Sequence, residues 1–237
     1  MRIPATASIV MLTGAGISAE SGLSTFRGGG GLWENQRVED VASPEGFVKN
    51  PEAVHRFYNQ RRAQVRTVQP NAAHTALAEL ERVWPGDFLV VTQNVDDLHE
   101  RAGSQKLVHM HGELAKVRCM LCTTVFLWEG DTGPEVPCPS CGKTESLRPH
   151  IVWFGEMPFD LDRIGEALDK CGLFVSIGTS GNVYPAAGFV EMVNPFAYSL
   201  ELNLEPSEVV TSFFETRNGK ATDLVPALVE ELLAGRG

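Results

Sequence analysis

Positive charge is scarce in this 237-residue chain: 20 Lys and Arg stand against 30 Asp and Glu, a formal net charge of −10 at pH 7. That deficit argues against a nucleic-acid partner, because phosphate contacts require clustered Lys and Arg. An acidic surface suits basic protein segments instead. Long apolar runs are also missing. None approaches the roughly 20 residues of a membrane span, so no membrane partner is expected. Met1-Arg2-Ile3-Pro4 carries a single cation, and the apolar stretch Ile9 to Leu12 is too short for a signal-peptide core. Internal repeats are absent, and low complexity is confined to Gly28 to Gly31, where a mobile loop is expected. Cysteine is sparse but patterned. Four of the five form two Cys-x-x-Cys pairs, which leaves Cys171 as a spare thiol and gives the cytoplasm as the expected compartment.

With 43% hydrophobic residues the chain can bury a full core, as one large domain or one domain carrying an insertion. Continuous apolar runs at Ser8 to Thr13, Phe88 to Thr92, Leu107 to His109, Leu173 to Ile177 and Ser199 to Leu204 read as buried parallel strands. Helical stretches lie between several of them. Asn71 to Val83 sets Leu77, Leu80 and Val83 on one stripe, and a last helix starting near Thr222 or Asp223 repeats Leu224, Leu228 and Leu232. The alternation predicts an α/β fold with a Rossmann-like parallel sheet covered on both faces. Two segments interrupt it. Residues 34–70 form a helical insertion with a marked start at Asn50-Pro51-Glu52, and residues 112–148 form a zinc-ribbon insertion. The Rossmann-like part is then 1–33, 71–111 and 149–237, with the two insertions making a smaller lobe of a single catalytic domain.

The first strand runs into Gly14-Ala15-Gly16-Ile17-Ser18-Ala19-Glu20-Ser21-Gly22. Glycines allow a tight turn and a close approach to a pyrophosphate, whose charge meets the positive end of the next helix. The third glycine of the usual fingerprint is missing at Ala19, and an ordinary strand-to-helix turn has the same form. Thr25-Phe26-Arg27, Gly178-Thr179-Ser180 and Asn203-Leu204-Glu205 also lie at or beyond strand ends, where ligands of open parallel sheets collect. No acid closes the second strand as the ribose ligand of a dehydrogenase. Asn203 or Glu205 is the better candidate for an adenosine ribose.

Gln93-Asn94-Val95-Asp96 follows the second strand, and His109-Met110-His111-Gly112 ends the third. The two histidines are two apart at a strand end, so one faces the cleft. His111 is the choice, because Gly112 leaves room for a ligand. Asp97 and His99 read as a first-turn acid and a solvated side chain of the following helix. Val152-Trp153-Phe154-Gly155-Glu156 suits pairing with a substrate backbone as an added strand, and equally suits a loop with buried aromatics. Tyr58 and Arg61, three apart, share a helix face and offer a phenol and a guanidinium to a carboxylate. With Arg62 and Arg66 nearby, a solvated basic face reads from the same residues.

Cys119 and Cys122, fifteen residues, then Cys138 and Cys141 make a zinc-ribbon spacing. Four thiolate ligands leave no open position, so this Zn²⁺ is structural and a zinc-hydrolase mechanism is excluded there.

In order and wording these segments resemble the sirtuins, the NAD-dependent protein-lysine deacylases, from Thr13 to about Ala221. The resemblance implies NAD as co-substrate, and residues 14–33, including Trp33, lining its pocket. It also implies Gln93, Asn94, Val95 and Asp96 around the nicotinamide and its ribose. Gly178, Thr179, Ser180, Asn203, Leu204 and Glu205 fall to the adenosine half, with Ala221 near the adenine. His111 becomes the general base, with Asn94 positioning water or a ribose hydroxyl, Phe26 shielding the ribose carbon and Asp96 holding the carboxamide. Nicotinamide leaves, the acyl oxygen of a modified lysine attacks the ribose carbon, His111 takes a proton from a ribose hydroxyl so that it attacks the imidate, and water finishes the reaction. The products implied are nicotinamide, O-acyl-ADP-ribose and free lysine. Acylated-lysine proteins or peptides are the implied partners, with Val152, Phe154 and Gly155 on the substrate strand. Tyr58 and Arg61 resemble the bacterial class III subgroup that removes succinyl and malonyl groups as well as acetyl, and Ala42 stands where that subgroup keeps its acyl pocket wide. Two features depart from the family pattern: Ser24-Thr25 stands where many members have Pro-Asp, and Met192 to Tyr198 lacks the usual basic helix end. A mono-ADP-ribosyltransferase in the same cleft, and a zinc-ribbon interaction module on an inactive nucleotide fold, remain as competing readings.

Overall fold

The computed structural model describes residues 3–24, 32–33, 36–205 and 213–235. Six strands pair in parallel: β1 (Ile9–Thr13), β4 (Phe88–Thr92), β5 (Leu107–His109), β9 (Leu173–Ile177), β10 (Tyr198–Asn203) and β11 (Glu215–Asn218). Their spatial order is β11-β10-β9-β1-β4-β5. Every residue of β1, β4 and β9 is buried, as continuous apolar runs between two helical layers require. The order runs outward from β1 in both directions, so the topological switch point lies between β1 and β9. Ligands of open α/β sheets bind at that crevice.

One face of the sheet packs on α5 (Ala72–Val83) and α9 (Ala221–Ala234), through Leu77, Leu80, Val225, Leu228 and Leu232. The other face packs on α7 (Leu161–Lys170) and α8 (Phe189–Met192), through Ile164, Leu168 and Phe189. Truncating one of these buried leucines to Ala would cost about 2–5 kcal/mol. Two short helices, α1 (Ala15–Ala19) and α6 (Leu98–Ala102), leave the ends of β1 and β4.

The smaller lobe joins two separate stretches of chain. The first holds the hairpin β2 (Leu32–Trp33) and β3 (Gln36–Arg37), then α2 (Val38–Val41), α3 (Pro44–Lys49) and α4 (Pro51–Val65). Asn50 caps α4, its Oδ1 accepting from Ala53 N at 3.0 Å, with Pro51 in the first turn. The second stretch is an antiparallel sheet in the order β7 (Val125–Leu127), β6 (Gly112–Cys119), β8 (Leu147–Ile151). Phe47, Val54, Phe57, Tyr58, Leu114, Ile151 and Trp153 share one core beneath α4. Buried polar groups join the two stretches. Asn59 Nδ2 donates to Thr132 O at 2.9 Å, Thr132 N donates back to Asn59 Oδ1 at 3.0 Å, and His55 Nδ1 meets Thr132 Oγ1 at 2.8 Å. Arg62 donates from Nε to Leu114 O at 2.9 Å and from Nη1 to Gly130 O at 3.2 Å.

Candidate active site

A cavity of about 950 Å³ opens between the sheet domain and the lobe, over the carboxyl ends of the strands. Its wall begins at the switch point. Gly14 N donates to Ile177 O at 2.9 Å and Gly16 N to Gly178 O at 2.8 Å. A Cβ at Gly16 would lie 2.6 Å from Gly178 Cα, so backbone meets backbone here and no side chain fits between. The helix that follows has only five residues, so the backbone of Gly14 to Gly16, more than a long helix dipole, shapes this wall.

Among the described residues, every catalytic, NAD-binding and substrate-binding candidate named from the sequence lines the cavity except Ile17. The Ile17 side chain is fully buried in the main core, so its expected place at the ligand is corrected. Thr25, Phe26, Arg27 and the run Gly28 to Gly31 lie outside the described residues. In sheet order the wall passes from Gly219, Ala221, Asn203, Leu204 and Glu205, past Gly178, Thr179 and Ser180, to Gln93 through Asp96 and His111. Asn203 Nδ2 donates to Thr179 O at 2.7 Å and so joins the two loops at the β9 and β10 ends. Glu20 accepts from Thr222 Oγ1 at 2.8 Å and pairs with Lys220, which holds the start of α9 against the cradle.

Ser18 is the hub of the polar wall. Its Oγ donates to Asp96 Oδ2 at 3.1 Å and accepts from Asn94 Nδ2 at 3.2 Å. Nε2 of His74 meets the same Ser18 oxygen at 3.4 Å, and its Nδ1 meets Asn71 at the backbone N, 3.3 Å, and Oδ1, 3.1 Å. Asn94 Nδ2 also reaches Gly14 O at 3.1 Å. Burial raises the Asp96 carboxyl, against the bonds from Leu98 N and Ser18. The sequence reading missed His74. Its signal was the Asn71-x-x-His74 spacing, which here forms a capping box at the start of α5.

His111 Nδ1 donates to the Gln93 carbonyl at 3.2 Å. That bond fixes the tautomer, leaving Nε2 with the lone pair. Burial lowers the ring's pKa, opposed by the bond to Gln93. Gly112 makes no room for a ligand, contrary to expectation. At φ +83 a Cβ there would lie 2.1 Å from His150 O, so the glycine answers the pairing of β6 with β8, where Gly112 stands opposite Ile151. His99 is a second correction. Expected in solvent, it is 1% exposed, with Nε2 at 3.0 Å from Thr13 Oγ1 and its ring centroid 4.9 Å from that of His74. Asp97 precedes α6 and pairs with Arg101 at 3.4 Å.

At the lobe end the wall is Ala42, Tyr58, Arg61, Trp33 and Trp153. Arg61 and Arg62 are 6% and 4% exposed, so the inner face of α4 is not a solvated basic face. Tyr58 Oη accepts from Trp153 Nε1 at 2.9 Å, and burial raises its phenol well above the usual value. Trp33 lies edge-on to Tyr58 with centroids 5.9 Å apart, and Arg61 sits 6.0 Å from the Trp33 ring. The turn bearing Val152, Phe154 and Gly155 is anchored by Glu156. Its carboxylate takes two bonds from Arg148 at 2.7 and 2.9 Å, one from Arg118 at 3.1 Å and one from Trp153 N at 2.9 Å. Burial opposes that charge, but the two guanidiniums hold the carboxyl below its usual range. This anchor had no local signature, because Arg118, Arg148 and Glu156 are scattered in sequence.

The four paired cysteines converge, with all sulfur atoms within 4.8 Å of one another and none in a disulfide. Cys119 to Cys141 measures 3.8 Å and Cys122 to Cys138 measures 3.7 Å. Zinc–sulfur bonds of about 2.3 Å give a tetrahedron with edges near 3.8 Å, so this thiolate set fits Zn²⁺. The Leu121 and Cys122 amides both donate to Cys119 Sγ at 3.4 Å, and Cys122 N heads the causes that bring the Cys119 thiol down to about 6.

Residues 14–185 match the Sir2 family. The chain is 59% identical to the NAD-dependent protein deacylase of Pasteurella multocida, over 95% of this chain and 97% of that one. It is 56% identical to the NAD-dependent protein deacylase of Shewanella oneidensis, over 96% and 95%. Its fold is similar to a Sir2 homolog in complex with NAD, with a TM-score of 0.88, 40% identity and coverage of 98% and 92%. It is also similar to a Sir2 structure bound to a myristoylated histone peptide, with a TM-score of 0.75, 32% identity and coverage of 98% and 94%.

Proposed function

From the premise that this chain belongs to the Sir2 family and is an NAD-dependent protein-lysine deacylase, we propose that it removes succinyl and malonyl groups from lysine, and acetyl groups through the same cleft. The observation that carries this reading is the pair Tyr58 and Arg61, both buried and both on the cavity wall beside Ala42. A phenol kept protonated by burial donates to an anion, and a guanidinium grips a carboxylate in two places.

NAD supplies the ribose carbon and the acyl acceptor, water releases the lysine amine, and nicotinamide, O-acyl-ADP-ribose and free lysine are the products. Gly14 to Gly16, Ser18 to Glu20, Gly178 to Ser180, Asn203 to Glu205 and Ala221 hold the dinucleotide. Asp96, buried and tied to Ser18, orients the carboxamide. Asn94 orients a hydroxyl or water, and Nε2 of His111 takes the ribose hydroxyl proton. Val152 to Gly155 receive the peptide as an added strand. The zinc is structural and takes no proton. The thiolate frame belongs in a reducing compartment, which supports the cytoplasm.

Steady-state kinetics on succinyl- and acetyl-lysine peptides of one sequence test the specificity. Arg61→Met should raise KM for the succinyl peptide by roughly tenfold or more, since a bond to a charged group is lost, with little change for acetyl. Equal losses on both peptides, or no desuccinylation by the unaltered enzyme, would reject it. Radiolabel from NAD ending on protein would indicate ADP-ribosyl transfer instead.

A further inference from the structure

We infer that His109 is a positioning residue, held as an imidazolium that clamps the Asn94 carbonyl and so fixes the loop from Gln93 to Asp96. Both of its ring nitrogens face acceptors. Nε2 lies 2.6 Å from Glu100 Oε1, and Nδ1 lies 3.1 Å from the backbone oxygen of Asn94. A neutral imidazole has one N–H, so it would turn a lone pair towards one of these oxygens. The cation satisfies both. His111, two residues on, has one such partner, the Gln93 carbonyl. The two histidines therefore buckle successive carbonyls of one loop and divide the work. One is a neutral base at the cavity, and the other is a charged clamp behind it.

The surroundings favour that charge. Glu100 of α6 and Glu113 of β6 face His109 with negative charge, and Asp96 lies near enough to feel it. On the opposing side, Lys116 is occupied by Glu113, and the buried ring of His99 stays neutral. Burial lowers the ring's affinity for a proton, but the Glu100 bond and charge outweigh it, and the pKa lies above the usual histidine value. The same bond holds the Glu100 carboxyl below its usual range despite burial.

The clamp carries a consequence for rate. As pH rises through the His109 pKa, one of the two bonds is lost and the loop bearing Asn94 loosens, which gives turnover an alkaline limb. The acid limb belongs to His111. This rests on the reading that Asn94 and His111 act on the ribose of NAD, and is independent of acyl preference.

Nitrogen-15 spectra of labelled histidine test the clamp without turnover. Both His109 nitrogens should carry protons at neutral pH, and Glu100→Gln should lower the titration midpoint by about one unit. Turnover of an acetyl-lysine peptide tests the effect. His109→Phe should reduce kcat by about tenfold with its melting profile retained, whereas His109→Asn, which keeps a donor for the Asn94 carbonyl, should stay within about threefold and lose the alkaline limb. A neutral His109 at neutral pH would overturn the inference. So would an unchanged rate and pH profile in His109→Phe, or an unmoved alkaline limb in Glu100→Gln. Wild-type turnover in His111→Ala would sink the underlying reading instead, with the spectra still deciding the clamp.

Discussion

Gly112 shows how a residue can sit at a site for reasons that belong to the fold. Its left-handed φ and the His150 carbonyl 2.1 Å from a would-be Cβ leave no alternative to glycine. Gly112→Ala should destabilise the protein by about 2 kcal/mol or more, read as a drop in melting temperature, and displace the adjacent His111. His111→Ala should lower deacylation by about 10²-fold or more, with NAD affinity by calorimetry largely kept. Near-normal turnover would move the base elsewhere. Because burial lowers the His111 pKa, the base stays neutral to lower pH than an exposed histidine, and the acid limb of kcat/KM should fall below 6.5. At this scale much was legible. Cysteine spacing and the Asn94–Asp96 cluster are local patterns, and the cavity gathers the latter at its wall. What a ring touches is not local. His99 reads as a helix-surface residue from spacing, yet it lies beneath β1 and β4 with Thr13, because tertiary packing decides which face of a five-residue helix is inward.

The helix α4 reads weakly amphipathic because its inner face carries His55, Tyr58, Asn59, Arg61 and Arg62 among the apolar residues. Asn59 and Arg62 are met by backbone groups of the neighbouring stretch, His55 by the Thr132 hydroxyl and Tyr58 by the Trp153 indole, while Arg61 lines the cavity. Asn59 alone holds the amide, carbonyl and hydroxyl of Thr132 and the guanidinium of Arg62. Asn59→Ala should therefore cost about 1–3 kcal/mol, since partners are left buried without bonds, and urea unfolding would measure it. An unchanged midpoint would mean that water replaces the amide fully. Strands differed in legibility for a related reason. The inner strands are unbroken apolar runs, whereas β11 is Glu-Thr-Arg-Asn at a sheet edge and alternates between half-buried and exposed. It carries no apolar signal, although its end delivers Gly219 to the cavity.

Three histidines, His55, His74 and His99, are buried and neutral, and burial brings the first two down to about 4. Unfolded, they protonate near 6.5. Stability contributed by His55 and His74 is thus full above 6.5 and is lost as pH falls towards 4, at about 1.4 kcal/mol per pH unit for each. A denaturation midpoint flat between pH 6.5 and 4 would contradict this. Metal removal acts on the same lobe. Chelation or Cys138→Ser should unfold the zinc insertion and abolish activity indirectly, because structural zinc binding is folding free energy. A metal-free protein with native melting and full turnover would refute it. The bonds that run from Thr132, Gly130 and Leu114 to α4 give these effects a common direction. The zinc insertion and the acyl wall share one helix, α4, so what holds the insertion in place bears on the wall. Thermodynamic reciprocity then requires that any factor by which bound zinc raises the affinity for acyl-lysine be matched by an equal rise in zinc affinity when the peptide is bound.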